Sequence, residues 1–128
     1  MRVYVAAPLF GRAERDFNES IEKELSKEGM NVFLPQDRCN QNVFECCIEN
    51  LEKSDAVLAV FDGAQVDDGT AFECGYAFAK EIPVVGLRTD FRRVGEYAGE
   101  INAMLNNCGI LCKNLEDAIR ELKKMAVD

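Results

Sequence analysis

An unbroken apolar run, Ala56-Val57-Leu58-Ala59-Val60-Phe61, stands between Asp55 and Asp62. A run with no alternating polar positions offers solvent no face, so it predicts a strand buried on both sides, as in a parallel sheet covered by helices. Four more short apolar runs read as strands: Val3 to Pro8, Val32 to Pro35, Ile82 to Leu87 and Ile110 to Cys112. Between them apolar residues recur at helical spacing. Phe17, Ile21 and Leu25 form one stripe, with Gly29 as its stop. Phe44, Cys47, Ile48 and Leu51 form a second, and Leu115, Ala118, Ile119, Leu122 and Met125 form the last. Ile101, Met104 and Leu105 mark a further helix, whereas Gln36 to Gln41 show no periodicity and read as a polar loop bordering a pocket. Strand and helix alternate throughout. The expectation is one domain over residues 1–128, a flavodoxin-like (Rossmann-like) α/β fold. Its open parallel sheet has about five strands in the order 2-1-3-4-5, with helices on both faces.

Sheets of this kind build their sites where loops leave the C-terminal ends of central strands. Just past the central run lies Asp67-Asp68-Gly69-Thr70-Ala71-Phe72-Glu73-Cys74-Gly75-Tyr76-Ala77. Phe72, Tyr76, Ala77 and Ala79 have helical spacing, so the stretch is a loop entering a helix. It carries three carboxylates: Asp67, Asp68 and Glu73. Glu73 is expected near the first helical turn, where the macrodipole keeps a carboxylate ionised. An ionised carboxylate on a rigid element is a candidate nucleophile. Asp67 is placed to face the same pocket as acid or base. Two carboxylates in different environments suit glycosidic-bond chemistry. The competing reading is that Asp67 or Asp68 caps the helix and Glu73 is solvated. In the expected strand order, Tyr4 to Phe10 meet Asp67 to Glu73 across one crevice. Tyr4 is then either an orienting phenol for a carboxylate or simply a core aromatic.

The chain has no His, which removes His general bases, Ser-His-Asp and Cys-His pairs, and His metal ligands. A net charge of −8 argues against a nucleic-acid partner, which needs a basic face. The six cysteines, at 39, 46, 47, 74, 108 and 112, make no CxxC pair. That argues against structural zinc, and free, mostly buried thiols in a reducing cytosol are expected. The first apolar run is too short for a membrane span and lacks a signal-peptide layout. A cytoplasmic protein is expected, with no nucleic-acid or membrane partner.

With these residues in view, the chain resembles the nucleoside 2-deoxyribosyltransferase family. Val3-Tyr4-Val5-Ala6-Ala7-Pro8-Leu9-Phe10 resembles the family's opening strand and loop, and Ser54 to Val60 its central strand. Asp67-x-Gly69-Thr70-Ala71-x-Glu73-x-Gly75-Tyr76-Ala77 is similar to its catalytic stretch, and Ile101-Asn102-Ala103-Met104 to its late Asn-x-Met motif. The resemblance implies that Glu73 attacks the anomeric carbon of 2-deoxyribose and that Tyr4 positions it. It implies that Asp67 contacts the nucleobase and helps proton transfer. Ala7, Pro8, Leu9 and Phe10, with Asp68 and Gly69, are implied to line the substrate site. Asn102 and Met104 match residues supplied by a neighbouring subunit to hold the 5′-hydroxyl end of the sugar. The implied assembly is therefore a homo-oligomer built on a dimer, with a hexamer as one form. The implied substrates are a 2-deoxynucleoside and a free nucleobase, and no metal or organic cofactor is needed.

One position departs from the pattern. The family commonly has an Asp eight positions before the Asp55 equivalent, and here that position is Cys47. Glu45, Glu49 and Asp68 are the candidate substitutes. The chain is also shorter than many transferases and has no C-terminal aromatic tail to complete a pocket. Two other functions stand beside the transferase. Arg88, Arg92 and Arg93 suit a phosphate and point to a 2-deoxynucleoside 5′-monophosphate N-glycosidase, unless they form local ion pairs with Asp90 and Glu96. A non-catalytic nucleoside- or nucleotide-binding module is the third reading, motivated by Cys47.

Overall fold

Five strands pair in parallel in the order β2-β1-β3-β4-β5, as expected. They are β1 (Arg2–Ala6), β2 (Asn31–Phe33), β3 (Ala56–Val60), β4 (Val84–Leu87) and β5 (Ile110–Cys112). The computed structural model describes residues 1–126, so the last two positions of the expected domain lie outside the described residues. Every residue of β3 is buried, which is why its sequence shows no alternation. It lies between β1 and β4, with Tyr4 opposite Val57 and Leu58 opposite Val85.

Among the described residues the α-helices are α1 (Arg12–Lys27), α2 (Pro35–Arg38), α3 (Val43–Glu52), α4 (Asp68–Ala79), α5 (Ala103–Asn106) and α6 (Leu115–Ala126). The period-two pleat divides the strand side chains between two layers. Val3, Val5, Leu58 and Val60 pack with Ile21 and Leu25 of α1 and Leu122 of α6. Tyr4, Ala6, Val57 and Ala59 pack on the opposite face with Leu51 of α3 and Cys74 and Ala77 of α4. Tyr4 therefore points toward the helix that carries Glu73. The chain leaves α1 through Gly29, whose φ of +83° is open to glycine at no steric cost.

Two local expectations change. The loop expected over Gln36 to Gln41 begins instead with the single-turn helix α2, because Pro35 at its first position has φ already set for a helix. The helix expected around Ile101 to Leu105 is reduced to the four residues of α5, started by the Asn102 side chain accepting from the Met104 amide at 2.8 Å. Among the described residues no helix is long and apolar enough to cross a membrane.

Candidate active site

The loop after β1 and the helices α3 and α4 meet above the α4 face of the sheet. At their meeting point the Tyr4 hydroxyl donates a hydrogen bond to Oε2 of Glu73. Tyr4 is fully buried and its ring stacks on Phe33 with centroids 5.5 Å apart. It is thus a core aromatic whose hydroxyl also donates to a carboxylate. Burial, with the Glu73 charge beside it, raises the Tyr4 pKa and keeps the hydroxyl a donor.

Glu73 sits in the second turn of α4, because the helix begins at Asp68. The expected first-turn macrodipole therefore does not decide its charge, since that effect fades within one turn. Burial raises the Glu73 pKa to about 7, the Tyr4 hydrogen bond pulls it down, and the Asp67 charge pushes it up. The expectation of a permanently ionised Glu73 is corrected to a carboxyl that titrates near neutrality. The solvated Glu73 of the competing reading is not found either.

Asp67 caps α4, its Oδ2 accepting from the Thr70 amide at 2.9 Å and the Thr70 hydroxyl at 3.1 Å. A Cβ at Gly69 would stand 3.3 Å from that oxygen, so glycine leaves room for the cap. Asp67 and Glu73 line one cavity of about 550 Å³. Ala7, Leu9, Phe10 and Gly69 line it too. Pro8 instead borders a separate cavity of about 330 Å³ with Asn18 and Asp62. Asp68, Asn102 and Met104 border a third, of about 620 Å³, so this chain does not bring them to Glu73. Met104 is 81% exposed.

The remaining wall was not among the expected site residues. Pro35, Val43, Phe44, Cys47, Ile48 and Phe72 complete the cavity. Phe44 and Phe72 face each other across α3 and α4 with ring centroids 6.1 Å apart. The available signal was the apolar stripe of α3, which extends at Phe44 beyond what the core needs, leaving that ring 64% exposed. Cys47 remains a free thiol whose pKa is raised by burial, so it is neutral in the cavity. Glu45 and Glu49 do not line the cavity, and neither replaces a carboxylate at position 47.

The three arginines are engaged elsewhere. Arg88 is buried, its guanidinium donating to the carbonyls of Phe61, Gly63 and Arg92, and it lies 3.7 Å from Asp90. Arg92 pairs with Asp90. Arg93 donates to the Ala98 carbonyl at 2.7 Å and lies 3.4 Å from Glu100. Asp90 is thus the expected partner, while Glu96 instead accepts from the Ala103 amide at 2.9 Å. The cysteine expectation is corrected at one pair. Cys39, at the end of α2, and Cys46, in α3, are disulfide-bonded with Cα atoms 5.7 Å apart. Folding brings them together through the short helix that the sequence pattern hid. Cys47, Cys74, Cys108 and Cys112 are free, and Cys74 and Cys112 are buried.

A solved conserved protein from Enterococcus faecalis V583 is 26% identical, covering 97% of this chain and 98% of its own, with a TM-score of 0.84. A 2-deoxyribosyltransferase from Bacillus psychrosaccharolyticus is 23% identical over 93% of this chain and 90% of its own, with a TM-score of 0.76. A CMP N-glycosidase from Clostridium botulinum is 18% identical over 96% and 99%, with a TM-score of 0.61. The last two likenesses show the shared fold. No curated protein sequence matches this chain. The family model for nucleoside 2-deoxyribosyltransferase matches residues 3–114. That match runs from β1 through the Tyr4–Glu73 pair to the end of β5, and the chain belongs to the nucleoside 2-deoxyribosyltransferase family.

Proposed function

We propose that this protein is a nucleoside 2-deoxyribosyltransferase that moves 2-deoxyribose between nucleobases, with Glu73 as nucleophile. The observation that carries the reading is the Tyr4–Glu73 hydrogen bond at the wall of the 550 Å³ cavity. Tyr4 holds Oε2, and Oε1 of the ionised carboxylate attacks C1′ of the bound nucleoside. The C1′–N bond breaks and its electron pair leaves with the base. Asp67 contacts that base and relays the proton it takes up. The incoming base then attacks C1′, breaks the ester and returns the carboxylate. Two displacements give overall retention.

The monophosphate N-glycosidase reading loses its sequence motive, because Arg88, Arg92 and Arg93 are bound to protein partners. A homo-oligomer built on a dimer completes the proposal, with Asn102 and Met104 serving a neighbour's cavity in the cytoplasm. The test mixes a purine deoxynucleoside with a different free base and follows both products by chromatography. Exchange is expected, and Glu73→Ala should abolish it. Absence of exchange across a panel of bases sinks the transferase. Tight nucleoside binding by calorimetry with no turnover would instead leave a non-catalytic binding module.

A further inference from the structure

The Glu73 cavity is walled almost entirely by hydrocarbon. Among the described residues only Cys47, Asp67 and Glu73 bring polar side chains to it. Glu73 is tied to Tyr4, and one oxygen of Asp67 already takes two hydrogen bonds from Thr70. The Cys47 thiol is neutral and a weak hydrogen-bonding group. A bound base therefore meets one carboxylate oxygen of Asp67, a thiol, and otherwise aliphatic and aromatic surface. Val43, Phe44 and Ile48 of α3 and Phe72 of α4 belong to that surface, with Ala7, Leu9, Phe10 and Pro35. Phe44 and Phe72 remain 64% and 54% exposed, so no core contact consumes them. At about 550 Å³ the cavity lies in the range that holds drug-sized ligands, which includes a nucleoside with a substituted base.

We propose that the cavity selects nucleobases enlarged by an apolar substituent, such as 5-alkylpyrimidines and 6-alkylpurines, and that Phe44 and Ile48 of α3 set this preference. The inference rests on the proposed nucleoside site and names its substrate class. Its physical basis is that an apolar wall rewards an added methyl group and gives nothing to an added polar edge. A single methyl in a fitted apolar pocket changes affinity by about tenfold or more.

Calorimetry with free bases tests it without any turnover. Thymine is compared with uracil, and 6-methylpurine with purine, on the full chain. The methylated base is expected to bind about tenfold tighter in each pair. Phe44→Ala and Ile48→Ala should each narrow the gap to about threefold, weakening the methylated base more than its unmethylated counterpart. Phe44 is more than half exposed, so its variant keeps the fold, and circular dichroism checks both. Equal binding within each pair, or a gap that survives both variants, overturns the inference. Methyl-selective binding with no exchange would sink the transferase and leave this inference standing. Exchange with equal binding would do the reverse.

Discussion

Tyr4 and Glu73 are joined by a hydrogen bond across 69 positions of sequence. The bond exists because the pleat turns Tyr4 toward α4 while the second turn of α4 lowers Glu73 onto the sheet. Two opposing effects meet there. Burial favours the neutral carboxyl, and the phenol favours the anion. The balance, near pH 7, leaves a carboxylate that is ionised in part of the population at neutrality.

Tyr4→Phe keeps the ring on Phe33 and removes only the hydroxyl. Without that donor the Glu73 pKa rises further above 7, since the bond lowers it. A hydrogen bond to a charged group is worth about 1.5–3 kcal/mol. Base exchange at pH 7 should therefore fall about ten- to a hundredfold, with partial recovery at pH 9. The measurement is kcat/KM from pH 5 to 9. An acid limb that stays at the wild-type position would remove Tyr4 from control of the carboxyl.

The same buried carboxyl ties stability to pH. Its folded pKa of about 7 lies above its ordinary value of 4.5, so the folded state binds the proton more tightly. That stabilisation is fully present below the ordinary value and is lost as pH rises through 7. The slope in this window is at most about 1.4 kcal/mol per pH unit. Glu73→Gln lacks the proton, so its stability relative to wild type should rise between pH 5 and 8. Denaturation midpoints of the two proteins that run parallel with pH would contradict this.

The strand order was legible because each buried strand carries its own apolar run, from Val3 to Val5 through Ala56 to Val60 and Val84 to Leu87. Alternation with helical stripes then left few topologies. Glu73 and Tyr4 were legible as candidates, but their coupling needed the pleat and the helix start at Asp68. Other features are products of tertiary context. Phe44 looks like a core position by spacing, yet its turn of α3 overhangs the cavity. Arg88 looks like a phosphate ligand by type, yet it is buried, and the carbonyls just past β3 and in the following loop accept from one of its terminal nitrogens. Position within a stripe does not say where the core ends, and residue type does not say which partner is near.

Arg88 should behave as a structural residue. Its guanidinium is buried and bridges the carbonyls of Phe61, Gly63 and Arg92 beside Asp90. Arg88→Met leaves three carbonyls and a carboxylate without that fork. Leaving a buried acceptor unsatisfied costs about 1–3 kcal/mol, while Asp90 keeps Arg92. Arg88→Lys should recover only part, because an ammonium cannot reproduce the planar donor set. Urea unfolding measures both. A variant of wild-type stability that loses only binding of a 5′-monophosphate would restore the phosphate reading.

Cys39 and Cys46 close a short loop that carries Val43 and Phe44 of the cavity wall. Cross-linking residues this close in sequence stabilises by about 2 kcal/mol through the entropy of the unfolded chain. Reduction, or the double change Cys39→Ser and Cys46→Ser, should lower stability by about that amount. It should also weaken nucleoside binding, because the loosened segment forms the wall. Identical urea midpoints with and without reductant would remove the cross-link from the stability of the fold.

Asn102 and Met104 give the sharpest prediction about assembly. Both border a cavity shared with Asp68 and Gln65, away from the Glu73 cavity of their own chain. Asn102 caps α5, which presents the largely exposed Met104 outward. An exposed long apolar side chain beside a fixed polar cap is suited to a neighbour's pocket, in line with the proposed dimer. Glu73→Ala chains and Asn102→Ala chains should then each be nearly inactive alone. Asn102→Ala also removes a helix cap, at a cost of about 1 kcal/mol, so its folding is checked first. Mixed, unfolded and refolded together, the two chains should regain part of the activity. Some cavities would combine an intact Glu73 from one chain with an intact Asn102 from another. Met104→Glu should disperse the assembly and lose exchange together, read by sedimentation and by chromatography of the bases. A fully active monomer in sedimentation would end the shared-site proposal, and a mixture that regains nothing would weigh heavily against it.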